Sequence, residues 1–236
     1  MSAATPAPPP PPSAGAKPSF DFVRPLAFVF EDPRWLPKVL LGGLFMLASI
    51  FIVGAFFVYG YLARLVRNVI EGQQNPLPEW DDLGDFFVEG FKLFLIGLVY
   101  SVPIGILAAA VLVPALIAGN FGDNETLRAL GGISVSCVWC LVVPLGLALA
   151  VWLPGALLMT VTSGQFSAAF EFRRIARFIR ANAGNYVLAF VVWLVARFAA
   201  GLGIMVLCVG VFFTMFWAFC VAAYAFGQVW RQAEIR

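Results

Sequence analysis

The chain has 236 residues, of which 61% are hydrophobic and 12% charged, and its mean hydropathy is +0.91. Soluble domains carry about a quarter charged residues, so the composition excludes an ordinary water-soluble domain and calls for lipid as solvent. A net charge of only +2, with no basic run interleaved with aromatics, excludes nucleic acid as a partner.

In chain order, residues 1–19 form a Pro- and Ala-rich tail, too polar to fold, with expected disorder and polyproline II character. The tail has no basic n-region and no apolar h-region, so the chain is expected to insert through its own first apolar segment. Residues 20–236 are expected to form one helical membrane domain. Its first charge-free stretch is Val39 to Ala63, flanked by Trp35, Lys38 and Arg64 as interfacial anchors. A second runs from Leu93 to Gly122 and contains Pro103 and Pro114, which a membrane helix tolerates as kinks. The third begins at Ala129, holds Pro144 and Pro154, and gives way near Ser163. The last, Tyr186 to Phe226, is about twice the length one span needs and is split near Cys208 to Gly210. The expected fold class is therefore an all-α, polytopic helical membrane protein with four to five membrane segments.

Two linkers between these stretches are amphipathic. From Trp80 to Phe94, a helical wheel puts Asp81, Asp82, Asp85, Glu89 and Lys92 on one arc, with Leu83, Phe86, Phe87 and Phe91 on the other. A helix lying flat at the interface is expected here, with Asp81 or Asp82 as its cap and Glu89 paired with Lys92. From Phe166 to Asn182, Arg173, Arg174, Arg177 and Arg180 share one arc and Ala168, Phe172, Ile175 and Ile179 the other. These four arginines are candidate binders of anionic lipid headgroups.

Charge also predicts orientation. Arg64, Arg67 and Lys92 lie in the first linker, the four arginines in the third, and Arg231 and Arg236 at the C-terminus, against Arg128 alone in the second. The positive-inside rule places the first and third linkers and the C-terminus in the cytoplasm of a prokaryotic inner membrane. If Val39 to Ala63 spans fully, Lys17, Arg24, Arg34 and Lys38 fall outside, against the rule. A re-entrant hairpin eased by Gly42, Gly43, Gly54 and Gly60 would bring them back, and the charge bias favours it.

The run from Gly60 to Arg67, then Gly72, then Pro76-Leu77-Pro78-Glu79-Trp80-Asp81-Asp82 and Phe86 through Gly90 to Lys92, resembles the hallmark of a prokaryotic membrane family known as domain of unknown function 4013. Phe166-Ser167-Ala168-Ala169-Phe170 before an Arg-rich helix, and Gly227-Gln228, are similar to that family too. The resemblance implies architecture and carries over no reaction, substrate or catalytic residue. Read physically, Arg67 and Glu71 form an i, i+4 pair, Gly72 stops the helix, and Pro76 and Pro78 force an extended turn before the acidic helix. This collar either staples two segments to the interface or presents Arg64, Arg67, Trp80, Asp81 and Asp82 as a docking surface for a membrane or cytoplasmic protein partner.

Reactive constellations are sparse. The absence of His removes the commonest general base and metal ligand, and no phosphate loop, nucleophile elbow or zinc spacing appears. No enzyme activity, cofactor or metal is therefore expected. Cys137-Val138-Trp139-Cys140 is a CxxC that, with Cys208, faintly resembles quinone-linked thiol oxidoreductases, although Cys220 is expected deep in its span and a loop Cys pair is missing. Arg197 is a lone ionisable residue in an apolar segment; it is expected to snorkel toward Asp123 or Glu125, or to mark an anion or lipid-headgroup site within the bundle. Small-residue faces such as Ala108-Ala109-Ala110 allow close packing within the chain or in a homo-oligomer. The first expectation is a scaffold or accessory subunit, the alternative a small-solute or ion transporter or channel, and the third a thiol oxidoreductase.

Overall fold

The computed structural model describes residues 20–121, 125–205 and 209–233, and among them there are helices and no strands. The α-helices are α1 (Arg24–Glu31), α2 (Trp35–Ala48), α3 (Val53–Glu71), α4 (Leu83–Phe121), α5 (Glu125–Ser163), α6 (Phe172–Ala181), α7 (Ala183–Gly201) and α8 (Gly210–Arg231). Short 3-10 turns sit at Ser49–Phe51, Phe166–Phe170 and Leu202–Met205. Among the described residues, α3, α4, α5, α7 with its 3-10 extension, and α8 are long and apolar enough to cross a membrane. The chain is an all-α, polytopic helical membrane protein.

The first apolar segment is not one helix. α2 ends at Ala48, and after the 3-10 turn Ile52 takes a positive φ of 67° that starts α3 in a new direction. Such a backbone is costly for a β-branched residue, and close packing of the two arms holds it. A Cβ at Gly54 would lie 2.1 Å from the Phe45 carbonyl oxygen, and the Phe45 and Phe57 rings stack at 4.7 Å. α2 and α3 therefore run antiparallel as a helical hairpin, which returns Lys38 and Arg64 to the same end of the molecule. α1 meets α2 at a bend of 108°.

α3 and α4 cross backbone to backbone. A Cβ at Gly60 would fall 2.0 Å from the Phe86 carbonyl oxygen, and one at Gly90 would fall 1.6 Å from that of Phe56. Around this crossing Phe56 packs edge-on against Phe87, Phe91 and Phe94. The acidic stretch from Trp80 to Phe94 is not a separate helix: from Leu83 it forms the first turns of the 39-residue α4. One glycine and no proline stand between Phe91 and Val102, so nothing in the chain breaks the helix there. Pro103 and Pro114 lie inside α4, and Pro144 and Pro154 inside α5.

α8 is the centre of the bundle. Phe216, Cys220, Val221, Ala225 and Val229 are fully buried along it. α2 approaches through Gly42 and Gly43, whose missing side chains admit the Phe216 and Phe213 rings. α7 runs antiparallel to α8, with Phe190 packed on Phe226 at 5.2 Å. α3 reaches it where Gly227 lies against Val66 and Val69. The second linker is not one helix over 166–182 but a 3-10 turn followed by α6, with Ala168, Ala169, Ile175 and Phe178 buried.

Candidate functional site

At one end of the bundle the 73–82 segment is held from three sides. It begins where Gly72 closes α3 in the left-handed region at φ 77°, its N–H donating to the Val69 carbonyl at 3.1 Å while the Gln73 N–H donates to that of Asn68 at 3.0 Å. These bonds satisfy carbonyls that a helix end leaves free. Asn68 Nδ2 then donates to the Pro76 carbonyl at 2.8 Å, and Tyr61 OH to that of Pro78 at 3.0 Å. Proline supplies no N–H, so the extended run offers its carbonyls as acceptors to α3.

From α2, Lys38 Nζ donates to the Leu77 carbonyl at 3.0 Å and to Asp32 Oδ2 at 2.6 Å, and pairs with Glu79 at 2.8 Å. Lys38 and Asp32 are both buried, 5% and 4% exposed. A buried charge is tolerated only when paired and hydrogen-bonded, and Lys38 satisfies all three of its donors. Arg34 adds a second cation on Glu79 at 2.7 Å. Trp80 is half-buried: its indole N–H donates to the Lys38 carbonyl at 3.0 Å and its ring stacks on Tyr61 at 4.2 Å, near Phe45, Phe86 and Phe216. The motif is thus a clasp that fastens α2, α3, α4 and α8 together. Beside it opens a polar groove of about 430 Å³ lined by Arg34, Lys38, Arg64, Asn68 and Glu79.

The outer rim of the clasp is acidic. Arg64 lies 3.4 Å from Asp82, 3.8 Å from Asp81 and 3.7 Å from Asp85, with its guanidinium 4.7 Å over the Phe86 ring. Among the described residues none of these carboxylates has a second cation at ion-pair distance. Their side chains are 72%, 46% and 74% exposed for Asp81, Asp82 and Asp85. Asp82 also caps α4, accepting the Asp85 N–H at 3.4 Å. That N–H foremost, and Arg64 beside it, hold the Asp82 carboxyl below its ordinary range.

Arg67 does different work. It grips the Glu89 carboxylate with two nitrogens and donates from Nε to the Val161 carbonyl at 3.3 Å, tying α3 to α4 and α5. The i, i+4 partner Glu71 instead accepts from Gln73, and Glu89, expected to pair with Lys92, pairs with Arg67 across the α3–α4 crossing.

The remaining candidates lie elsewhere. Arg173, Arg174, Arg177 and Arg180 are exposed on α6, and Arg174 pairs with Glu171 at 3.3 Å. Arg197 is exposed four residues before the end of α7, with a contact from its guanidinium to Met215 Sδ. Its expected partners Asp123 and Glu125 fall outside the described side chains. Cys140 is a free, exposed thiol and Cys220 a free, buried one, while Cys137 and Cys208 also lie outside the described side chains.

Sequence reasoning found Arg64, Arg67, Trp80, Asp81 and Asp82 but missed Asp32, Lys38, Tyr61, Asn68 and Glu79 as members of the same cluster. A lysine flanking an apolar run looks like an interfacial anchor, and only the α1–α2 bend turns it inward onto Asp32.

The model of a family described as proteins of unknown function, DUF4013, matches residues 43–227, which take in the whole 73–82 segment and α3 through most of α8. No curated protein and no solved structure matches the chain.

Proposed function

The chain belongs to the DUF4013 family, whose description names no activity, and from the clasp we propose that it is a non-enzymatic scaffold or accessory subunit of a prokaryotic cell membrane that docks a protein partner at its cytoplasmic end. One observation carries this reading. Three exposed carboxylates, Asp81, Asp82 and Asp85, share the single guanidinium of Arg64, leaving two negative charges over on a surface fixed by the buried clasp behind it. A rigid, charged and solvent-facing rim suits a basic segment of a partner, because charge complementarity steers association and sets register.

The orientation rests on the same cluster. The helical hairpin of α2 and α3 puts Arg34 and Lys38 beside Arg64, and Arg67 and the α6 arginines lie at that end as well. With cations gathered at one end, the positive-inside rule assigns it to the cytoplasm, together with the C-terminus of α8. The α2–α3 hairpin is then a re-entrant element, dipping into the bilayer from the cytoplasmic face.

The test is crosslinking in cells followed by purification in mild detergent, comparing the natural chain with Asp81→Lys/Asp85→Lys. Both side chains are exposed, and neither makes the buried contacts of Lys38, Tyr61 and Trp80 that hold the clasp. The expected result is a stoichiometric partner that disappears on charge reversal while protein amount and thermal stability stay unchanged. A natural chain recovered without a partner, or a variant that keeps its partner, would overturn the reading.

A further inference from the structure

We infer that α6 and the adjoining end of α5 form a binding site for an anionic glycerophospholipid, with the phosphate held by Arg173 and Arg177 and the start of an acyl chain on Phe172. This site is separate from the acidic rim and stands or falls independently of it.

The first ground is charge without a partner. At 100° per residue Arg173, Arg177 and Arg180 fall within about 60° of one another and extend along about 10 Å of helix axis. Arg174 has Glu171, but among the described residues no carboxylate stands at ion-pair distance from the other three. Like charges stacked at i, i+4 disfavour the helix that carries them, so an anion between Arg173 and Arg177 would stabilise α6 as well as bind to it. Two guanidiniums one turn apart match the spread of phosphate oxygens.

The second ground is that α6 cannot roll to hide the stripe. Ile175 and Phe178 on its opposite face are 0% and 1% exposed. A Cβ on Gly155 of α5 would already stand 3.2 Å from Ile175 and 3.3 Å from Ile179, and Phe178 packs on Trp230 of α8 at 5.0 Å. The arginines are therefore fixed outward.

The third ground separates an amphiphile from a free anion. Against α6 lies a groove of about 600 Å³ lined by Arg173, Arg174, Arg177 and Glu171, with Phe172 and the nearly buried Met159 and Phe178. At its lip Phe172 is 55% exposed, its ring stacked on Trp152 at 5.8 Å. An exposed ring directly beside the guanidiniums offers nothing to inorganic phosphate, but it suits a molecule with a phosphate at one end and a hydrocarbon chain at the other. α6 joins α5 to α7, two membrane-crossing helices, and such a helix meets the headgroup layer.

The experiment uses the full chain, purified in detergent and stripped of lipid. It is titrated with dioleoyl phosphatidylglycerol, dioleoyl phosphatidylcholine or chain-free glycerophosphoglycerol, and bound molecules are counted by native mass spectrometry. The expected result is retention of phosphatidylglycerol at least tenfold above phosphatidylcholine, with no retention of the chain-free compound. At about fivefold per arginine near an anionic headgroup, Arg173→Gln/Arg177→Gln weakens that retention about 25-fold, and Arg173→Lys/Arg177→Lys recovers part of it. Phe172→Ala, which leaves the charges intact, lowers affinity for both lipids alike. Equal retention of the two lipids by the natural chain overturns the proposal, as does an unchanged Arg173→Gln/Arg177→Gln variant. Retention of glycerophosphoglycerol equal to that of the lipid assigns the stripe to free anions and overturns it too.

Discussion

Lys38 shows how one residue decides the meaning of a motif. Its ammonium is buried beside Asp32 at 2.6 Å, and removing one partner of a buried pair leaves the other charge uncompensated, at a cost of about 3–5 kcal/mol. Lys38→Met is therefore expected to destabilise the protein by about that much in thermal unfolding in detergent, whereas Asp32→Asn/Lys38→Met is expected to recover most of the loss. A double variant as unstable as the single one would show that the pair is not the source. Asp82 adds a pH dependence. Its folded carboxyl titrates lower than in the unfolded chain, so its contribution is complete above the ordinary carboxylate range and is lost as pH falls through the folded value. Hydrogen-exchange protection in the first turn of α4, taken relative to the intrinsic rate at each pH, should fall on acidification in the natural chain, and respond less in Asp82→Asn. The Asp82 cap was legible in the sequence because it is local, an acidic residue just before a helical pattern. The Lys38–Asp32 pair was not, because it depends on a bend between two helices.

Among the elements, the α3–α4 crossing sets the geometry on which the clasp rests. With the Phe56 carbonyl oxygen 1.6 Å from where a Cβ would stand, Gly90→Ala forces two backbones apart. Overpacking of this kind costs about 1–3 kcal/mol, and Glu89 should also withdraw from Arg67. Gly97, on the same helix, has nothing within 4 Å, so Gly97→Ala should be neutral or stabilising by up to about 1 kcal/mol. Thermal melts of the two variants side by side check this, and equal melting shifts would contradict the crossing. Gly72 as a helix stop could be read from the sequence, as could the break before α8, since each follows from residue type and segment length. That the acidic stretch continues into α4 could not: its amphipathic arc is legible, but nothing local shows that the apolar run after it prolongs the same helix or that Glu89 meets Arg67 across the crossing.

On the scale of the whole molecule, composition alone dictates a helical membrane protein, and the lengths of the apolar runs give the order of the spans. The packing order was hidden. In lipid, core-facing and lipid-facing positions are both apolar, so nothing in the residue pattern of α8 marks it as the central helix. α4 and α5 have 39 residues each, about 58 Å at 1.5 Å per residue, well beyond the roughly 30 Å of a hydrocarbon core. Each has length left over for the clasped end, where Glu89 and the Val161 carbonyl meet Arg67. Charge patterning exposed the conflict over Val39 to Ala63; the α2–α3 hairpin carries Lys38 back to Leu77, and the re-entrant placement proposed for it would remove that conflict.

The account depends most on that return, because the clasp can form only if α2 begins on the side where α3 ends. Pro33 and Gln73 are both exposed there. Single cysteines at these positions, placed in a chain with Cys137, Cys140, Cys208 and Cys220 replaced, should be challenged with a membrane-impermeant thiol reagent in right-side-out and inverted vesicles. The account predicts that Pro33→Cys and Gln73→Cys both label in inverted vesicles and neither in right-side-out ones. Labelling of the two from opposite sides would make residues 39–63 a full span and contradict both the clasp and the cytoplasmic docking surface built on it.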